Sequence, residues 1–217
     1  MADRTFTDLV TRVTPSVPGC PQVVIEEHLR NSAIEACERT LAFRFEQPSI
    51  RLTSGVAEYN YETPSQTEVH AILTARVNDN QIKPVTLEQL HDLYPKWPDN
   101  GADELADPRF VTQLDPDNFA LAPIPDNTTT YDVDMLLALK PLRTATDMDK
   151  TVLDELEDVV VHGALQQLLV LPEKSWSDRE LAAYHAKQFL FKLSERRART
   201  NLGAGRASMS IQMRPLA

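Results

Sequence analysis

The sequence predicts an α+β chain, with a helical domain formed by the N- and C-terminal helices, a largely antiparallel β-rich insertion between them, and an extended C-terminal arm. Three observations predict it. Long runs of apolar residues at spacings of three and four lie towards the two ends of the chain. Residues 43–142 carry short alternating runs cut by Gly, Pro, Asn and Asp instead. Beyond Gly203 and Gly205 the chain returns to strict alternation in Ser208-Met209-Ser210-Ile211-Gln212-Met213. The expected boundaries are 1–42 and 147–202 for the helical domain, 43–146 for the insertion and 203–217 for the arm.

Within residues 3–13, Phe6, Leu9, Val10 and Val13 mark a short amphipathic helix, which the breakers Thr14-Pro15-Ser16-Val17-Pro18-Gly19 end. A second helix is expected to open with Pro21 in its first turn, where the missing N–H costs nothing, and to run to about Leu41. Its buried stripe is Ile25, Leu29, Ala33, Ala36 or Cys37, and Leu41. No cationic feature beside Cys37 marks an activated thiolate, so Cys37 reads as a small core residue.

The insertion offers strands at 49–53, 58–61, 68–77, 81–85, 110–114, 119–122 and 132–139. Asn78-Asp79-Asn80 suits a hairpin turn because Asn and Asp tolerate left-handed backbone, and Asp115-Pro116-Asp117-Asn118 suits another. Thr86-Leu87-Glu88-Gln89 matches a capping box opening a short helix through Leu90, Leu93 and Tyr94. Residues 95–108 hold three prolines, Gly101 and the acids Asp99, Asp103, Glu104 and Asp107, the composition of an exposed loop that makes contacts in an assembly.

After Asp147, Leu153, Leu156, Val160, Ala164, Leu168 and Leu171 form one helical stripe that Val161, Leu165 and Leu169 widen. So broad an arc belongs to a helix that is central in its domain or also packed against a neighbouring subunit. Pro172 stops it, and Ser177-Asp178-Arg179-Glu180 reads as a second capping box for a helix running to about Asn201.

Composition narrows the function. The 217 residues are 42% hydrophobic and 25% charged, as in a soluble globular protein. The net charge of −10 argues against general nucleic-acid binding. It is unevenly spread: from residue 188 onward Lys192, Arg196, Arg197, Arg199, Arg206 and Arg214 face Glu195 alone, so that end is +5 and the remainder −15. Two cysteines and a start, MADRTF, without a basic or apolar leader region point to a reducing compartment rather than secretion, so Asn127-Thr128-Thr129 reads as a polar loop and not a glycosylation site. No uncharged run approaches the roughly 20 residues of a membrane span. His28, His70, His91, His162 and His185 lack the close spacing of a helical zinc motif, so neither a metal nor a cofactor is expected. Gly203-Ala204-Gly205 follows a helix and precedes none, which makes it a helix stop rather than a dinucleotide fingerprint. Phosphate-loop, nucleophile-elbow and paired-cysteine motifs are missing. Glu157, Asp158 and His162 alone suggest an acid and an imidazole on one helix face, a pattern that charged helix flanks also produce.

Two stretches carry a resemblance: Val17-Pro18-Gly19-Cys20-Pro21 leading into the helix to Thr40, and Val160-Val161-His162-Gly163-Ala164-Leu165 through Leu171-Pro172-Glu173-Lys174-Ser175-Trp176-Ser177 into Leu181-Ala182-Ala183-Tyr184. They resemble the head-to-tail adaptor, or neck, proteins of tailed bacteriophages. The resemblance implies a structural, non-enzymatic virion protein, made in the host cytoplasm. It would form a homo-oligomeric ring, commonly a dodecamer, between the portal protein and a tail or lower neck protein. Double-stranded DNA would pass through the ring without being held. The C-terminal arm would insert into the portal, which assigns Arg206, Met209, Ile211, Met213 and Arg214 to portal binding. Asp99, Asp103, Glu104 and Asp107 are the candidate acids of the lumen. Two alternatives stand beside it: another neck or tail-completion protein docking below the adaptor, and a cytosolic enzyme using the Asp158 and His162 region.

Overall fold

The computed structural model describes residues 3–98 and 105–202. Among them are five α-helices and nine strands, so the chain is α+β as predicted. The first surprise lies at residues 3–5, which are not helical. They form strand β1 (Asp3–Thr5), antiparallel to β9 (Asp147–Asp149), and the helix α1 starts only at Thr7 (Thr7–Val13). A single 3₁₀ turn (Thr14–Ser16) and Gly19, at φ +86°, then redirect the chain. Pro21 sits one place earlier than expected, as the extended N-cap of α2 (Gln22–Thr40). That helix ends with Leu41 in the left-handed conformation at φ +52°, its N–H bonded to the Cys37 carbonyl.

The long helices α4 (Lys150–Leu169) and α5 (Arg179–Leu202) complete the helical layer, in which α1, α2 and α5 all pack on α4. Asp149 caps α4 by accepting the Val152 N–H at 3.1 Å. At the start of α5 the expected box is displaced by one residue. Asp178, not Ser177, accepts the N–H groups of Glu180 and Leu181, each at 3.0 Å. Ser177 instead donates its hydroxyl to the Leu169 carbonyl at 3.2 Å, closing the C-terminus of α4.

Seven strands make one curled sheet: β2 (Arg44–Arg51), β3 (Glu58–Asn60), β4 (Thr67–Val77), β5 (Asn80–Pro84), β6 (Phe110–Gln113), β7 (Asn118–Ala122) and β8 (Asp132–Pro141). Their order is β2-β8-β4-β5-β6-β7-β3, antiparallel except for β5 against β6. Asn78 and Asp79, at φ +46° and +64°, turn β4 into β5 as the sequence predicts. The register slips in β2 around Pro48 and twice between β4 and β8, and such irregularities increase local twist and favour curling. The Gln47 side chain accepts the Glu62 N–H at 3.4 Å, joining the two ends of the curl. Between β5 and β6 the Thr86–Gln89 capping box opens α3 (Leu87–Leu93) with both reciprocal bonds at 3.2 Å. The loop that follows is anchored rather than wholly exposed: Trp97 is buried and its indole N–H donates to the Leu121 carbonyl.

One continuous core joins the helices to the sheet, from Leu9, Leu29 and Leu156 through Leu137 and Leu139 to Phe119. Cys37 lies inside it, fully buried, with its thiol pushed up to about 12 by desolvation, as expected of an inert core residue. The tightest point is Gly163 on α4. A Cβ there would stand 2.0 Å from Ser32 Oγ on α2 and 2.9 Å from the Phe189 ring on α5. Gly163→Ala is therefore expected to lower the unfolding free energy by about 1–3 kcal/mol through overpacking. Ser32→Ala in the same chain removes the nearer obstacle, and urea titration of both variants should show partial recovery.

Candidate functional site

The acid and imidazole cluster on α4 is taken up by internal pairing. Arg4 on β1 binds Asp154 and Glu157, each at 2.7 Å, and Arg12 on α1 binds Glu157 at 2.5 Å and Asp158 at 3.2 Å. The Arg4 hydrogen bond, seconded by Arg12, holds the Glu157 carboxyl below its ordinary range. These acids fasten the N-terminal strand and helix to α4, and Asp158 also faces Lys192 of α5 at 4.0 Å.

His162 turns to His185 of α5, with the two Nδ1 atoms 2.8 Å apart. At neutral pH one ring donates its N–H to the bare nitrogen of the other, which requires opposite tautomers at the contact. Burial pushes both imidazoles below the ordinary 6.5. For His162 the nearby Asp158 opposes that trend, while Lys192 and Arg12 reinforce it. A search for histidines three or four apart on one helix misses this pair, whose members are 23 residues apart and meet across α4 and α5. The usable signal is that His185 continues the inward stripe of Leu181, Phe189 and Leu193.

Of the candidate lumen acids, Asp99, Asp103 and Glu104 lie outside the described residues. Asp107 is exposed, and its carboxylate accepts the Tyr131 hydroxyl. The same phenol approaches Asp126 at 2.8 Å, and its ionisation is pushed up to about 12, by burial first and then by Asp107. Asp107 and Tyr131 stand on the wall of an open cleft of about 560 Å³ with Asn78, Lys83, Arg109 and Phe110. That wall mixes both signs of charge. The arm residues Arg206, Met209, Ile211, Met213 and Arg214 also lie outside the described residues.

The wide apolar arc of α4 faces the rest of its own chain: Leu153, Leu156, Val160, Ala164, Leu165, Leu168 and Leu169 are all buried within it. A neighbouring subunit is not needed to cover it. Exposed apolar surface lies on α5 instead, at Tyr184, Leu190 and Phe191, which are 53%, 53% and 64% accessible.

The exposed apolar residues of α5 are the kind of surface that makes contacts with partners. A family model described as SU10 adaptor protein matches residues 4–214. The chain belongs to that family, a phage head-tail adaptor family, which implies portal and tail proteins as partners and the virion neck as location. No curated protein matches it.

The histidine pair sets a pH dependence. A histidine with a lowered native pKa stabilises the fold above its unfolded value near 6.5 and loses that contribution as pH falls through the native value. Glu157, also lowered, acts in a separate window below its ordinary 4.5. The melting temperature is therefore expected to fall between pH 7 and pH 5. His185→Asn should flatten that dependence in scanning calorimetry.

Proposed function

We propose that the chain is the repeating subunit of a dodecameric ring between portal and tail, and that double-stranded DNA passes through this ring. The family match across residues 4–214 carries the reading. In it, helices from both chain ends form the body of the subunit, the β-rich residues 43–146 form a second functional region, and the arm from Gly203 inserts into the portal. Arg206, Met209, Ile211, Met213 and Arg214 make that contact: the alternating side chains suit strand addition to a partner, and the cations suit acidic portal surface. Asp99, Asp103, Glu104 and Asp107 face the lumen. Carboxylates on that wall favour passage over retention, because like charge does not hold phosphates. The protein acts without catalysis and is made in the host cytoplasm before joining the virion.

Deletion of residues 203–217 is the direct test. The truncated chain should keep the melting temperature of the full chain and lose capture by the portal protein. Retention of portal binding would remove the arm from that role. Cryo-electron microscopy of virion necks decides the rest, since acids on the outer surface of the ring would refute the lumen assignment.

A further inference from the structure

A falling melting temperature does not say which part of the chain yields first, but the burial of the helices points to α5. Among the described residues α4 buries ten and α2 seven. The longest helix, α5, has 24 residues and buries only Ala182, His185, Phe189 and Leu193. Elements with few buried apolar contacts open first, and one of these four anchors is an ionisable ring.

The form of the contact sets what protons do to it. The ring centroids of His162 and His185 are 5.1 Å apart for an Nδ1 to Nδ1 distance of 2.8 Å, so both nitrogens lie between the rings, each turned to the other. A chelated metal ion would need both turned to a third point. One hydrogen fills the contact: the donor ring is left with a bare Nε2, and the acceptor ring carries its hydrogen on Nε2. A first proton goes to the bare Nε2 of the donor ring and leaves the contact in place, now charge-assisted. A second has only the acceptor's Nδ1 to bind, which sets two N–H groups and two cations head to head where the hydrogen bond was. The steps depend on each other, so the pair titrates as one unit.

The surroundings do not absorb the second charge. Asp158, one turn before His162, is already engaged by Arg12 of α1 at 3.2 Å and faces Lys192 of α5 at 4.0 Å. Asp158 favours protonation of His162, and both cations oppose it. On α5 the Tyr184 ring meets His185 edge to face, 5.2 Å between centroids, while α2 turns His28 to Gln167 and Arg39 to the Phe189 ring. Arg4 of β1 binds Asp154 and Glu157, and Asp149 of β9 caps the start of α4.

We propose that His162 and His185 form a two-proton latch on α5: one proton leaves the helix closed, and the second releases it from α4 while α2 and the sheet stay folded. Release also parts the end of α5 from β2, where an exposed hydrogen bond joins Arg44 to the Thr200 carbonyl at 2.9 Å. The latch is a property of the single chain and is independent of the ring reading.

Amide hydrogen exchange of the full chain at pH 7 and pH 5, read as protection factors by mass spectrometry, tests it. Residues 179–193 should be less protected than α2 and β8 at both values. They should also lose at least about tenfold from pH 7 to pH 5, the change per pH unit that one histidine held neutral in the closed state produces. Equal protection of α5, α2 and β8 at pH 5 means that the whole chain opens at once and overturns the latch, as does an unchanged α5. His162→Asn with His185→Asn puts an amide where each ring holds Nδ1 and removes the titration. In that double variant α5 should keep its pH 7 protection at pH 5, and a remaining loss counts against the pair. Where the variant does not fold, a histidine NMR titration of the unsubstituted chain decides: both rings should respond to each of two steps, and one independent step per ring refutes the latch.

Discussion

The close approach of three helices at Gly163 is the constraint on which the helical layer depends. With no side chain on α4 at that point, Ser32 of α2 and the Phe189 ring of α5 occupy the space a Cβ would need. The consequence extends beyond the helices, because α2 also carries the sheet. Glu38 on α2 binds Lys140 of β8 at 2.7 Å, and Lys140 reaches Glu68 of β4 at 3.3 Å. Arg30 of α2 donates to the carbonyls of Ala145 and Arg143, at 2.5 and 3.1 Å, in the segment leading to β9. The position of α2 against Gly163 therefore sets where the sheet lies and where the chain re-enters the helical layer. None of these pairs is fully exposed on both sides, so they hold geometry more firmly than surface ion pairs of the same length.

Elements whose signals are local were legible in the sequence. Alternation located six of the seven strands of the curled sheet to within two residues, left-handed-tolerant Asn78 and Asp79 located a hairpin between two of them, and the Thr86 box located α3, because each depends on residues within a few positions. Strand β2, expected at 49–53, runs instead over Arg44–Arg51, where Pro48 and a register shift interrupt the alternation. What escaped depends on partners far away in the chain. Three residues are too few to show a period, so β1 exists only through its pairing with residues 147–149. Ser177 and Asp178 are both good N-caps, and the choice between them is made by the Leu169 carbonyl, which Ser177 is placed to satisfy. The arc of α4 is as broad as its periodicity predicts; its cover comes from α1, α2 and α5 rather than from outside.

The candidate site divides along the same line. Periodicity identifies which residues point inward on α5 and so contained the clue to His185, but not the identity of the imidazole opposite it. Glu157, Asp158 and His162 do share a helix, as their spacing requires. Sequence could not show that Arg4 and Arg12 engage the carboxylates while a second histidine engages the ring. Of the acids marked in the 95–108 stretch, Asp107 is exposed but joined to Tyr131, a partner 24 residues on that no local motif announces.

These pairings also bear on how an acidic chain would treat DNA. Screening at physiological salt limits an exposed charge to about 8 Å, so a duplex inside a ring responds to the acids on the wall beside it and not to the net charge of the subunit. Carboxylates such as Asp154, Glu157 and Asp158, already paired with Arg4 and Arg12, add little to that local field. Lys83 and Arg109 near Asp107 weaken it further on their side of the insertion. A repulsive lumen would thus depend on a few unpaired carboxylates projecting together, and the placement of individual acids, rather than the total of −10, would govern any passage of DNA.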